Sequence, residues 1–406
     1  MKQRRHFLHA FSIASGAARL AAHAPGWAQG AAQRPSSVAE RILILVELKG
    51  GNDGLNTVVP FADPTYAQLR PTIGLNADEV LPLDARTGLH PALEPLLGLW
   101  KKGQLGIVQG VGYPQPNLSH FRSIEIWETG SNATEYLADG WAARGIKAGF
   151  AAKGNFTADG VLIGGTEMGA LAGARAVMLN NPEAFVNQSR FALGTDPLLA
   201  ARAKGNAALE NLLRVEGDIN QAANGLRAEK YNFTTVFPAG GFGSSVRAAA
   251  QVVASQVAKP AGEGGVPVIT LSLGNFDSHQ NQLGTHAALM KQLAEGLVAL
   301  QSSLTELGAW DRTLVMTFSE FGRRARQNNS NGTDHGTTAP HFVAGGAVRG
   351  GLYGQAPDLN RLDAAQNALY TTDFRQLYST VAKNWWGVSP EVVTRGRFEP
   401  INFLKT

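Results

Sequence analysis

Three short apolar runs, each ending in glycines followed by acids or imidazoles, constrain this chain more than any other feature. Ile42–Val46 leads into Gly50-Gly51-Asn52-Asp53-Gly54, and Val266–Leu273 leads into Gly274-Asn275-Phe276-Asp277-Ser278-His279. Thr313–Phe318 ends in Glu320 and a polar loop that reaches Asp334, His335 and His341. A continuous apolar run without alternation is the pattern of a strand buried on both faces, which calls for a parallel sheet covered by helices. Polar side chains gathered at the mouths of such strands are how an α/β fold builds a metal or catalytic site. The expected class is therefore α/β: a doubly wound, mostly parallel sheet with helices on both faces. The 406 residues suit one large domain.

Further elements fit between these strands. Leu105–Gln109 reads as another strand, broken at Gly110, and short apolar pieces lie at Val161–Ile163 and Ala176–Leu179. Helical spacing predicts helices over 90–102, 207–229, 243–257, from His286 to Leu307, and over 371–386. Residues 131–265 alternate short apolar pieces with glycine-rich turns and are expected to form a helical or irregular cap over a core spanning 41–406.

Lys2, Arg4, Arg5 and Arg19 account for the whole formal charge of +4, since residues 1–28 contain no acid. The remainder is formally neutral, which argues against a basic nucleic-acid-binding surface. Gln3-Arg4-Arg5-His6-Phe7-Leu8, the modestly apolar stretch after it and the small residues near Ala28 resemble a twin-arginine export leader over 1–28, followed by a polar linker over 29–40. That resemblance implies the twin-arginine translocase as a partner during export and a soluble periplasmic or otherwise exported product. Beyond the leader no apolar run is long enough for a membrane span. The chain has no cysteine, so a disulfide, a thiolate metal site and a cysteine nucleophile are all excluded. Any metal must be held by imidazole and oxygen donors.

Several residues allow both a chemical and a structural reading. Asp53 is a metal carboxylate or the cap of a βα turn. Ser119, at the start of a helix, is a cap or a hydroxyl nucleophile placed where free amides favour an anion. Arg122 holds an anion or decorates a helix surface. Asp277 and His279, two apart at a strand end, can turn toward one cation, the alternative being an acid that only orients a surface imidazole. His90 is read as a capping or core residue, His286 as a first-turn polar residue and His341 as the start of a strand. All six histidines after the leader (90, 120, 279, 286, 335 and 341) fall in or beside these polar segments, which favours one shared site.

The segments LKGGNDGLNTVVP, NLSHFRSIEIWETG, FDSH, WDRTLVMTFSEFGR, GTDHGTTAP and TTDFRQLYSTV resemble an uncharacterised exported family, number 1501 among domains of unknown function. That family is in turn similar to the alkaline phosphatase and sulfatase superfamily. The resemblance implies an alkaline-phosphatase-like fold and a metal-dependent hydrolase of a phosphate or sulfate ester. It implies one divalent metal, zinc, manganese or calcium, held by Asp53, Asp277, His279, Glu320 and His335. Asp334, orienting His335, and His120 would support the ligands from behind. Ser119 is the implied nucleophile, and Arg122 or Arg323 would clamp the anionic ester. Phe321 stands where the superfamily carries a second ligand, so one metal is expected. The same departure supports the alternative of a non-catalytic periplasmic scaffold or binding protein. A carbohydrate-active protein, with tryptophans stacked on sugars, is a third possibility.

Overall fold

The alternation of side chains along the first strand explains its unbroken apolar sequence. In β1 (Ile42–Leu48), Ile42, Ile44, Val46 and Leu48 belong to one buried cluster, while Leu43 and Leu45 belong to a second on the opposite face. Both faces are dry, so neither set of alternating positions admits a polar residue until Glu47 near the end. In the computed structural model of the chain the described residues are 38–150, 156–165, 167–189, 203–227, 231–257, 259 and 264–405. The expected leader over 1–28 lies outside them, as does most of the linker.

The remaining strands of the large sheet are β2 (Leu105–Gly112), β3 (Gly160–Ile163), β4 (Ala176–Leu179), β5 (Val268–Leu273), β6 (Thr313–Phe318), β7 (Ala339–Ala344), β8 (Gly351–Tyr353) and β9 (Thr372–Asp373). Their order is β8-β2-β7-β6-β1-β5-β3-β4, with β9 also paired to β2. All pairings are parallel except those of β7, which runs antiparallel to both β2 and β6. The expected mostly parallel α/β sheet is present. β7 reverses because it returns directly from β6 through the polar loop, without a crossover helix.

Helices cover both faces. Those used below are α1 (His120–Thr129), α2 (Ala207–Leu226), α3 (Gly240–Val257), α4 (Gln282–Glu306) and α5 (Arg375–Thr380). α4 buries Leu289, Leu293, Leu297, Leu300 and Leu304 in the cluster that takes Ile44 and Val46. α1 and α5 place Ile126, Trp127, Leu377 and Tyr378 in the other, with Leu43 and Leu45. Leu293 is fully buried, so truncation to alanine costs about 2–5 kcal/mol. No helix among the described residues is long and apolar enough to cross a membrane.

Three expectations need correction. Residues 131–265 are not only a cap: β3 and β4 extend the central sheet, and α3 packs Val246, Ala249, Val252 and Val253 into its core. These strands are too short for their pattern to separate core from cover. The helix expected over 90–102 is a tighter 3-10 turn over Pro91–Leu96 followed by α-helix over Leu97–Lys101, because Pro95 has no N–H for a continuous α ladder. The helix expected over 371–386 begins after β9, runs through α5 and widens into a π-type turn over Val381–Trp386 that Gly387 closes at φ 63.

Register positions the site. β1 pairs in parallel with β5 on one side, Leu48 facing Leu273, and with β6 on the other, Glu47 facing Phe318. Their C-terminal ends are therefore level, and the polar segments after Leu48, Leu273 and Phe318 emerge side by side, the crevice in which α/β sheets bind ligands.

Candidate metal centre

The loop after β1 passes very close to the loop after β5. Gly50 lies at φ 115, and a Cβ there would stand 2.5 Å from the Asp277 amide nitrogen. Only glycine permits this approach, which brings Asp277 over the end of β1. Arg323 completes the junction from beneath. Its side chain is fully buried and donates from Nε to the Gly51 carbonyl at 2.7 Å and from Nη1 to the Thr333 carbonyl at 2.9 Å. Its Nη2 reaches the carbonyls of Gly50 and Phe276 and the Asp277 carboxylate, the last at 2.6 Å. A two-residue ladder between Gly322–Arg323 and His335–Gly336 then sets His335 beside Asp277.

Three side chains converge there. His120, Asp277 and His335 each offer a ligand atom, and these atoms lie within 4.8 Å of one another. The His335 Nε2 is 3.1 Å from Asp277 Oδ1, and the His120 Nε2 is 3.5 Å from Asp277 Oδ2. His279 lies alongside, its Nε2 2.9 Å from Asp277 Oδ1 and 3.1 Å from His335 Nε2. Phe321 is buried beneath the cluster, its ring centroid 4.3 Å from that of His335 and 4.9 Å from that of His120. Phe321 thus forms an apolar floor for two imidazoles.

Hydrogen-bond chemistry assigns two of the tautomers. His335 Nδ1 is 2.8 Å from the Leu118 carbonyl, and His120 Nδ1 is 3.0 Å from Oε1 of Glu320. Carbonyl and carboxylate oxygens only accept, so both Nδ1 atoms carry the proton. In neutral rings both Nε2 lone pairs then face oxygens of one carboxylate. Acceptor facing acceptor at 3.1 Å is repulsive unless a proton or a metal cation sits between them. The donor set of two imidazoles and a carboxylate, each imidazole steered by an oxygen behind it, fits a divalent ion such as zinc or manganese. Burial alone would raise the Asp277 carboxyl, but the hydrogen bond and charge of Arg323, with help from His335 and His279, bring it down to about 2.

Other expected site residues are placed differently. Asp53 is buried away from the cluster and pairs with Arg70, Nη1 to Oδ2 at 2.6 Å, while Gln282 donates to the same oxygen. Burial opposes its charge, yet the Arg70 guanidinium holds the carboxyl below the ordinary range. Glu320, expected as a ligand, is buried and accepts from the Gly50 amide at 2.8 Å and from His120, whereas His120, expected behind the ligands, is in the converging trio. Asp334 lies 3.4 Å from Nδ1 of His279 and so orients that ring, not His335.

Both arginines have partners within the chain. All the donors of Arg323 described above are engaged. Arg122 is occupied by the carbonyls of Asn132, Ala133 and Glu135 and by the Glu125 carboxylate at 2.8 Å. Ser119 is the N-cap of α1 and is exposed, but its hydroxyl makes no capping hydrogen bond and hydrogen-bonds to none of the described residues. The six histidines do not share one site. His90 caps the turn after it, accepting from the Ala92 amide at 3.1 Å. His286 and His341 are buried in the core, where burial lowers their pKa to about 4 and about 3.

A cavity of about 650 Å³ opens from the cluster between the strand ends and α1. His120, Asp277 and Glu320 line one end, and Leu45, Leu162 and Phe318 form apolar wall. Glu47, Glu128 and Glu167 also line it, with Lys49 the one lysine or arginine among the lining residues. Burial and the neighbouring charges of Glu47 and Glu167 raise the Glu128 carboxyl to about 8. The sequence reading missed these acids because β1 and α1, distant in the chain, supply two of them.

No curated protein matches the chain. Among solved structures, PsFucS1 sulfatase from Pseudoalteromonas sp. aligns at 12% identity and a TM-score of 0.39, over 89% of this chain and 70% of that one. The lipoteichoic acid synthase LtaP from Listeria monocytogenes aligns at 9% identity and a TM-score of 0.36, over 87% and 76%. The C-terminal periplasmic domain of EcEptC from Escherichia coli, in complex with Zn, aligns at 11% identity and a TM-score of 0.38, over 86% and 83%. Residues 201–396, which include Asp277, His279, Glu320, Arg323, Asp334 and His335, match the model of the family described as "Protein of unknown function (DUF1501)", and it is this family that the chain resembles.

Proposed function

We propose that the chain binds one divalent metal ion through His120, Asp277 and His335 and acts there on a phosphate or sulfate ester. The observation that carries this reading is the pair of imidazole lone pairs aimed at one carboxylate, with tautomers set by Leu118 and Glu320. A bound ion would supply Lewis-acid polarisation of the ester oxygens and a lowered pKa for an attacking hydroxyl or water. Arg323 keeps Asp277 ionised and immobile. His279, with Nδ1 against Asp334 and Nε2 at the edge of the cluster, is placed to take or return a proton at Nε2. Phe321 excludes water from below. The esterified group enters the cavity beside His120, whose carboxylates disfavour an anionic group and accept a neutral or cationic one.

Protein purified without chelator is expected to contain close to one equivalent of zinc, manganese or calcium, and Asp277→Ala and His335→Ala to lose it. Turnover of an aryl phosphate, phosphodiester or sulfate ester that both variants abolish supports the hydrolase; a wild type without metal refutes the reading.

A second reading, a metal-binding scaffold without turnover, is favoured by the commitment of Arg122 and Arg323 elsewhere and by the isolation of the Ser119 hydroxyl. Stoichiometric metal with no activity across the ester panel is its expected signature.

A further inference from the structure

We infer that Glu320 is a positioning residue for this centre: it accepts the Nδ1 proton of His120 and thereby turns the Nε2 lone pair toward Asp277 and His335. The inference rests on the metal-site reading above but concerns contacts within the chain. Glu320 follows β6 directly, Gly50 follows β1, and His120 is the first residue of α1, so the contact joins three elements of the scaffold. Oε1 receives both the Gly50 amide at 2.8 Å and the His120 Nδ1 at 3.0 Å. The Glu320 carbonyl also accepts from the Ser123 hydroxyl, which anchors α1 one turn past His120. With its side chain only 3% exposed, the carboxylate is enclosed by these partners. Chemistry leaves one assignment for the bond: a carboxylate cannot donate, so His120 must. A ring held this way presents Nε2 in one orientation and with raised basicity, which for metal-bound histidines is worth about 10–100-fold in affinity.

The test separates positioning from direct ligation. In the metal-free full chain, nitrogen NMR of labelled histidine is expected to show His120 as the Nδ1–H tautomer. Glu320→Gln retains an oxygen that can accept the same proton, so it should keep that tautomer and hold metal within about tenfold of wild type. Glu320→Ala should mix the tautomers and weaken metal binding by about 10–100-fold. Asp277→Asn serves as the reference for loss of a true ligand. An Nε2–H tautomer of His120 in the wild type overturns the proposal, as does a loss in Glu320→Gln as deep as that in Asp277→Asn. If Glu320→Ala does not fold, the wild-type tautomer and the glutamine variant still decide. If the wild type binds no metal, the metal reading fails, and the tautomer measurement independently reports whether Glu320 orients His120.

Discussion

Arg70 and Asp53 form a buried ion pair, with Nη1 2.6 Å from Oδ2 and side-chain exposures of 0% and 1%. Arg70 also donates to the Asn56 side chain and to the carbonyls of Arg324 and Ala325, so it ties the segment after β1 to the polar loop before β7. Removing one partner leaves the other charge in a dry environment. Arg70→Met should lower unfolding stability by about 3–5 kcal/mol, and the double variant with Asp53→Asn should recover much of that loss. Asp53→Asn alone should leave metal stoichiometry unchanged. Denaturant melts and metal analysis check both statements, and loss of metal in Asp53→Asn would return Asp53 to the centre.

His341 has no exposed surface, neither ring nitrogen has a hydrogen-bond partner, and its ring lies edge-on to Trp127 at 5.0 Å. Burial lowers its pKa to about 3, against about 6.5 for a histidine in an unfolded chain. Between those values the unfolded state binds a proton that the folded state refuses. Stability should therefore fall as the pH drops below about 6.5, by about 1.4 kcal/mol per pH unit for this group, and the loss should level off near its folded pKa. His90 and His286, both lowered to about 4 by burial, add to the slope over a narrower range. His341→Leu should reduce the slope between pH 6 and 4 by one proton's worth, read from urea melts at several pH values.

The acids of the cavity should be visible in substrate choice. Of two aryl esters that differ only in a trimethylammonium or a carboxylate substituent, the cationic one should show a kcat/KM about tenfold higher, equivalent to ~1.4 kcal/mol. Because Glu128 titrates near 8, the preference should grow as the pH rises through that value. Glu128→Gln should flatten both effects. Equal rates for the two esters would place the esterified group outside the cavity.

Arg122 faces the turn that follows α1 and stacks its guanidinium over Tyr136 at 3.9 Å. Arg122→Leu removes the donor to the part-buried carbonyls of Asn132, Ala133 and Glu135, so it should destabilise by about 1 kcal/mol while leaving KM for any ester within about twofold. A rise in KM at unchanged stability would restore its role as an anion clamp.

The strands that carry the site were legible because burial on both faces writes itself into the sequence. Ile42–Val46 is apolar at every position, and Val268–Leu273 and Thr313–Phe318 are interrupted only by threonine and serine, a pattern that needs no knowledge of neighbours. The same reading places Asp277, His279, Glu320 and His335 at or near strand ends. The edge strands Gly160–Ile163 and Ala176–Leu179 are four residues each, too short for their pattern to distinguish sheet from cover, so the sequence reads them as part of a cap.

The sequence by itself determined a parallel α/β core and which polar residues crowd its strand ends, since backbone burial and glycine-rich turns act locally. Tertiary structure alone decided which of those residues meet. Glu320 and His120 are 200 residues apart, and nothing in spacing says that one orients the other. Asp53 found Arg70, Arg323 found four carbonyls, and the converging trio drew on α1, the loop after β5 and the loop before β7. The physical reason is that a carboxylate or guanidinium is satisfied by whichever partner the packed loops bring within about 3 Å. That distance is set by the close approach at Gly50 and the level register of β1, β5 and β6, properties of the assembled sheet that no single segment contains.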